Sequence, residues 1–443
     1  MALIAERVRS VGFKKILIKL LSVSGIWILT WALISIVLYT KIPIAFTKIY
    51  AEDGLSLQTA LEKSFPDDFL LPYAGYFDIV WRMGGRVAAS FPLHNAAQSI
   101  FFFNTLVLSW ISLTLYRASS EHIKGRSGRV VFSLSLLFLP IASFESIANT
   151  TNLHFFFMAA CLPIFLRSFM KGPEDNKFSI FVLVSTLSTP LMLFYFPLLM
   201  YLRFVDNTCK WYSKLKPTEL ALLIGLSVQF IFIFTRAFGD RKSPGFNSIL
   251  ETGYLYLDRV VGSAFLPWWG NVSQSTVSPI PNIFPTSIYL ALRALLVLFL
   301  LFCFAVCVLK ADKKSREASV LTIGVFLSGV LYWFVVGVLF NPEPRYAIFP
   351  SFSLILVVFY FHGSFYKLIN FKFYESAVII LLFLTWIGSW SPSAHRTEGP
   401  SWATEYTKAQ MKCSAGIDKV RIPIVPENLD WNVVIDCKRI LKT

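Results

Sequence analysis

Residues 50–69 read YAEDGLSLQTALEKSFPDDF and carry five carboxylates shortly after an apolar run that is long enough to cross a membrane. The chain as a whole is basic, with 41 Lys and Arg against 26 Asp and Glu, so this acidic stretch stands out. Five Lys or Arg precede the apolar run, and such residues favour the cytoplasmic side of a membrane. The pattern predicts an uncleaved first span, a cytoplasmic N-terminus and an acidic first loop on the outer face.

The composition places the whole chain in a membrane. Of its 443 residues, 55% are hydrophobic and only 15% are charged, which is too little charge to cover a soluble protein of this size. Apolar stretches of spanning length recur, so we expect an all-α polytopic membrane protein. The net charge of +15 does not indicate nucleic acid as a partner, because the basic residues lie between the apolar runs. They suit contacts with membrane lipids instead.

The basic loops favour about eleven crossings with the N-terminus inside and the C-terminus outside. This count requires that the run 178–203 turn back as a hairpin at Ser188-Thr189-Pro190, since a single crossing would place two lysine-rich loops outside. The expected organisation is a transmembrane domain over 1–390 with a first outer loop at 40–93 and a second at 237–285, followed by a small outer appendage at 391–443.

The appendage contains Cys413 and Cys437, and an oxidising outer compartment favours a disulfide between them. The segments VRIPIVP and WNVVID in the same region are typical of short strands. We therefore expect a disulfide-stapled unit that has a structural role or docks an acceptor.

Five acids of the first outer loop differ in their expected roles. Glu52 and Asp53 are adjacent and cannot share one helix face, so we expect only one to point into a cavity. The segment after Gly54 predicts a short amphipathic helix that lies on the membrane interface. The other acids, namely Glu62, Asp67 and Asp68, fit an ordinary solvated loop.

Several stretches resemble the GT-C superfamily of membrane glycosyltransferases. They are AEDG after the first span, NTTNLHFFF at 149–157, STPLMLFYFPLLMYLR at 188–203, RYAIFP at 345–350, and the tail with its two cysteines. The bacterial serotype-modifying O-antigen glycosyltransferases are the functional comparison that these stretches suggest. The resemblance implies a GT-C-like helix bundle in the bacterial cytoplasmic membrane, with interfacial helices in the first outer loop and a periplasmic active site.

The resemblance also implies the reaction and its partners. A sugar would move from a polyprenyl-phosphate donor to an extracytoplasmic glycan or a lipid-linked acceptor such as O-antigen. An acid of the first outer loop would be the base, and Asp53 is the first choice, with Glu52 as the alternative. Arg345 lies in a short proline-flanked turn and is the first choice for the donor phosphate, followed by Arg82 and Arg86.

Other residues could bind the sugar or the acceptor. The candidates are Asn149, Asn152, His154, Asp78, Tyr346, Trp268 and Trp269, with Glu145 as a possible addition. Simpler interpretations stay open, namely that Asn152 caps a helix, that the paired Trp anchor the interface, that Asp78 pairs with Arg82 four residues on, and that Arg345 only contacts ordinary headgroups.

No cofactor is required for this chemistry, although Glu52, Asp53 and Asp78 could in principle gather a divalent metal. The sequence shows no nucleotide-binding motif, which argues against direct use of a nucleotide sugar. Two other functions remain open. A flippase or transporter of lipid-linked sugars would also place charges in a membrane cavity, and an O-antigen polymerase would act on similar substrates.

Overall fold

The computed structural model describes the chain from residue 23 to residue 442 with gaps. The residues left out are 74, 122, 124, 143–145, 170–175, 206–214, 236–247, 266–287, most of 289–312, 341–342, 366–370, 389–398 and 427–428.

The apolar runs within the described residues form helices, as expected for segments whose backbone must satisfy its own hydrogen bonds. The first half contains α1 Val23–Lys41, α2 Glu52–Glu62, α3 Ile79–Ser90, α4 Ala96–Ala118, α5 Arg126–Phe138, α6 Leu153–Phe169, α7 Asn176–Ser188 and α8 Tyr195–Val205. The second half contains α9 Pro217–Thr235, α10 Ile249–Leu255, α11 Gly262–Phe265, α12 Lys313–Phe340, α13 Ile348–Phe365, α14 Phe371–Gly388, α15 Trp402–Ser414 and α16 Cys437–Ile440. A π-helical segment, Tyr256–Val261, joins α10 to α11.

Some of these helices suit a membrane. Leu93–Glu121 and Pro217–Thr235 are long and apolar enough to cross one, and α7 with α8 would be a third span if the bent pair is counted together. These findings support a membrane protein by length and composition. The number of eleven crossings stays a prediction, and the run expected at 286–309 lies largely outside the described residues.

The break predicted at Ser188-Thr189-Pro190 is confirmed. Helix α7 ends at Ser188, Thr189 caps the short 3-10 helix Pro190–Phe194, and the chain bends by 118° between α7 and the helical segment Pro190–Tyr201. A proline disfavours helical backbone at the preceding residue, which explains the position of the break. Whether the pair crosses the membrane as a hairpin stays a prediction.

The helices share a large apolar core, in which α7 packs against α9 and α12 against α13. Close approach is possible at Gly225 of α9, where a Cβ would lie only 2.5 Å from the Cβ of Thr186. Buried aromatic residues of α5, α6 and α13 fill the centre of this bundle.

The C-terminal unit, residues 399–442 in the described part of the chain, contains α15, a two-stranded antiparallel sheet and α16. The strands are β1 Lys419–Pro423 and β2 Asn432–Asp436, paired with Val420 opposite Ile435. The predicted strands are therefore confirmed. The predicted disulfide between Cys413 and Cys437 is also present, with 5.2 Å between the Cα atoms.

The C-terminal unit and residues 40–93, which are predicted to be the first outer loop, share a second hydrophobic core among the described residues. It joins Leu57, Leu61, Leu93 and Ile100 to residues of α15, β1, β2 and α16. The predicted amphipathic helix exists as α2, but its buried leucines lie against this unit. The position of this helix at the membrane interface stays a prediction.

Candidate functional site

Asp53 lies in the first turn of α2 and is 2% exposed. Its two carboxylate oxygens accept the backbone N–H of Thr150 at 3.0 and 3.3 Å. Glu52 is only partly buried, and its carbonyl accepts a hydrogen bond from the indole N–H of Trp81 at 2.9 Å. The structure thus directs the two adjacent acids to different surroundings, as the helical geometry predicts.

Backbone strain flanks this contact on both sides. Ala51 has φ +39° and ψ −117°, and Ala148 has φ +58°. Non-glycine residues rarely adopt positive φ, and such conformations persist only where the surrounding structure holds them. The two strained alanines lie two residues before Asp53 and Thr150, the residues that meet.

The glycine beside Asp53 allows a close approach between two elements. A glycine often marks a sharp turn, but here the turn is at Ala51 and Gly54 is helical. A Cβ on Gly54 would lie 2.3 Å from Cδ1 of Ile424 and 2.9 Å from Cγ2 of Val433. The absence of a side chain at Gly54 therefore lets the C-terminal unit approach α2.

Two consecutive glycines bring α3 close to its neighbours. A Cβ on Gly84 would lie 2.6 Å from Cγ2 of Thr150, and one on Gly85 would lie 2.4 Å from the carbonyl oxygen of Ser56. The Ser56 hydroxyl donates to the carbonyl of Trp81 at 2.7 Å across the same contact. Together these contacts hold α2, α3 and the 3-10 helix Thr150–Asn152 around Asp53.

Asp78 caps α3 by accepting the N–H of Trp81 at 3.1 Å. Its other oxygen lies 3.8 Å from Nδ1 of His154, and that nitrogen is 2.5 Å from the carbonyl oxygen of Thr151. Burial raises the pKa of the Asp78 carboxyl well above its usual range, against the effects of the Trp81 N–H and the Arg82 charge. The nearby charge of Asp53 acts in the same direction as burial.

The two arginines of α3 have local partners. Arg82 donates to the carbonyls of Leu71 and Pro72 and does not form the predicted ion pair with Asp78, whose charge acts on it only at longer range. Burial lowers the pKa of Arg82 to about 10.

Arg86 forms an ion pair with Asp68, with 2.9 Å from Nε to Oδ2. Asp68 is 1% exposed, so the expectation of a solvated acid is wrong there, because Asp68 serves as the buried partner of Arg86. Glu62 and Asp67 are exposed as expected.

Several buried polar atoms around Asp53 have unused hydrogen-bonding capacity. Within the described residues, no hydrogen-bond partner is found for Asp78 Oδ2, Arg82 Nη1, Asn149 Nδ2, Thr150 Oγ1 and Thr151 Oγ1. Buried polar groups normally have partners, so such a concentration calls for bound water or a ligand. We call these five residues together with Asp53 and His154 the polar cluster.

The cap of the short helix in this region is Asn149, which accepts the N–H of Thr151 at 3.1 Å. Asn152 directly precedes α6, so the interpretation that it caps that helix stays a prediction. Asn152 is buried within the same turn. The sequence interpretation missed Thr150 and Thr151, although both belong to the quoted stretch NTTNLHFFF.

Arg345 and Tyr346 belong to the 3-10 helix Pro344–Ala347. Arg345 pairs with Glu343 and lies over the Tyr346 ring at 5.8 Å. The Tyr346 ring contacts Phe155 edge to face at 5.3 Å, and Phe155 lies against His154 at 4.1 Å. Ring contacts thus connect the Arg345 turn to the polar cluster.

A further arginine belongs to a segment that packs against this turn. Arg259 of the π-helical segment interacts electrostatically with Asp258 and Glu343, and burial lowers its pKa. The sequence interpretation missed Arg259, although a charged pair in an otherwise apolar outer stretch was a usable signal.

Some candidates lie outside the described residues, namely Trp268, Trp269 and Glu145. Among the residues that are described, no group of three or more His, Cys, Asp or Glu side chains is placed to hold a metal ion.

The fold and the site together define a class: a helical protein with segments suited to a membrane and a buried polar cluster beside a disulfide-bonded C-terminal unit. Comparison with known proteins finds no match, since no family model, curated protein or solved structure is similar to the chain.

Proposed function

We propose that the protein is a membrane glycosyltransferase of GT-C-like type. It moves a sugar from a polyprenyl-phosphate donor to an extracytoplasmic glycan or lipid-linked acceptor such as O-antigen. The transfer reaction would take place at the outer face of the bacterial cytoplasmic membrane, and Asp53 would be the general base.

One observation carries the proposal: buried Asp53 lies two residues after the strained Ala51 and accepts the N–H of Thr150, whose hydroxyl is one of several buried polar atoms for which the described residues provide no hydrogen-bond partner. Strained backbone and unsatisfied buried groups cost free energy, and both concentrate at functional sites. The cluster offers donors and acceptors of several kinds, which suits a ligand with many hydroxyl groups.

The chemistry follows from these groups. Asp53 takes the proton of the acceptor hydroxyl, whose oxygen attacks the anomeric carbon of the sugar. The bond from that carbon to the phosphate oxygen breaks, and the polyprenyl phosphate leaves with the electron pair. Arg345 neutralises the charge that develops on this phosphate, since a guanidinium can donate two hydrogen bonds to phosphate oxygens. Because only 2% of Asp53 is exposed, the acceptor must open the cluster to reach it.

The test measures transfer by purified protein from a defined polyprenyl-phosphate sugar. Asp53→Asn should lower the initial rate by about 10²–10⁴-fold, the usual range for a general base. Glu52→Gln and the exposed Glu62→Gln are matched controls, and both should stay near the wild-type rate at equal protein levels.

Two outcomes would overturn the proposal. One is wild-type turnover in Asp53→Asn. The other is movement of the lipid-linked sugar across vesicles without any transfer, which would indicate a transporter.

A further inference from the structure

Helix α2 has two buried faces that contact different neighbours. Asp53 and Ser56 face the polar cluster and α3. The second face follows i, i+3, i+4, i+7 spacing and contacts the C-terminal unit. It consists of Gly54, Leu57, Gln58 and Leu61.

The contacts of the second face are specific. The Gly54 backbone lies against Ile424 and Val433, and the Gln58 side-chain oxygen accepts the backbone N–H of Val434 at 3.0 Å. Leu57 and Leu61 are buried in the core that includes both strands of the C-terminal unit. These contacts fix both the rotation of α2 and its position along the sheet.

The start of α2 is held by the same unit. Ala51 provides no side-chain cap, but its N–H donates to the carbonyl of Val425 at 2.6 Å. The N–H of Val425 in turn donates to the carbonyl of Ile49 at 3.0 Å. The strained residue Ala51 is therefore bracketed by backbone hydrogen bonds to a segment more than 370 positions away in the chain.

An isolated helix as short as α2, with 11 residues, is marginal in water, so its geometry depends on its neighbours. We propose that the C-terminal unit positions Asp53 for transfer, with Ile424, Val425 and Val434 as positioning residues. The inference rests on the proposed function. The tail is thereby assigned to the active site and not to an independent docking module.

The expected size follows from geometry. Misplacing a catalytic group by 1 Å can lower a rate by roughly 10²-fold. Ile424→Ala removes the side chain whose end lies nearest to Gly54 and leaves room for α2 to shift. We expect turnover to fall by about 10- to 100-fold. Donor binding should stay unchanged, because Arg345 lies in a separate turn.

A double-mutant cycle separates positioning from general weakening of the fold. If Ile424 acts through Asp53, adding Ile424→Ala to Asp53→Asn should lower the remaining rate by no more than about twofold. Equal fold-losses in both backgrounds would overturn the inference. Met411→Ala, at an exposed position of the same unit, is the control and should leave the rate unchanged.

A rescue pair tests the contact itself. Gly54→Ala places a Cβ against Cδ1 of Ile424, and Ile424→Val removes that atom. Gly54→Ala should therefore lower turnover, and Gly54→Ala combined with Ile424→Val should recover part of it, since the contact with Cγ2 of Val433 at 2.9 Å remains. No recovery would contradict the assigned contact.

Hydrogen exchange gives a readout that is independent of activity. Amides of residues 52–58 should exchange faster in Ile424→Ala than in wild type, whereas exchange in α9 should not change. Unchanged exchange in 52–58 would overturn positioning even in an active enzyme. Faster exchange in a protein without transfer would instead refute the proposed function and leave the docking of α2 established.

Discussion

Gly85→Ala provides the sharpest test of how α2 and α3 position the polar cluster. A Cβ on Gly85 would lie 2.4 Å from the carbonyl oxygen of Ser56, and ordinary contact begins at about 3.4 Å. The two helices must therefore separate by about 1 Å, since the obstacle is backbone and cannot rotate away. A shift of this size predicts a loss of roughly 10²-fold in transfer. The overpacking should cost about 1–3 kcal/mol of stability.

The assay compares initial transfer rates and thermal unfolding of the detergent-purified variant with wild type. Gly253→Ala is the matched control, because the nearest atom to its new Cβ is 4.0 Å away and the substitution is also helical. That variant should keep the wild-type rate. A Gly85→Ala protein with full activity and unchanged unfolding would refute the close contact between α2 and α3.

Two further predictions concern charged groups. The pKa of Asp78 is raised in the folded protein. Protonated Asp78 therefore stabilises the fold at pH values below the unfolded-state pKa of about 3.9. This stabilisation is lost as the pH rises through the folded-state pKa. Asp78→Asn retains a capping side chain but cannot ionise. The unfolding temperature of this variant should therefore rise relative to that of wild type as the pH is raised from 4 to 8. A difference in unfolding temperature that does not change with pH would contradict the burial argument. Arg345→Ala should weaken binding of the donor lipid by about 2–5 kcal/mol while thermal unfolding changes little, and unchanged donor affinity would leave Arg345 as a headgroup contact.

The elements that sequence analysis predicts correctly are determined by local patterns. The helices follow apolar runs, the break at Ser188 follows the proline after it, and the strands follow alternating apolar residues. The different directions of Glu52 and Asp53 follow from helical rotation alone.

The missed features depend on pairings between distant segments. Asp53 meets Thr150 across 97 positions, and no local pattern in either segment specifies the other. The sequence around Asp68 is typical of a solvated loop and does not indicate the ion pair with Arg86. The sequence around Gly54 does not indicate that Ile424 lies where a side chain at position 54 would be. Periodicity identifies a buried face without identifying what covers it.

The shared core of the first outer loop and the C-terminal unit also determines whether the number of membrane crossings between them is odd or even. Segments that pack in one core lie in one compartment, so a chain that spans the membrane must cross it an even number of times between Leu93 and Trp402. Ten crossings there, together with the first span, give the eleven expected from the basic loops. Any revision of the number of crossings between these segments must therefore add or remove an even number. If α7 and α8 together crossed only once, a second segment between Leu93 and Trp402 would have to be reassigned as well.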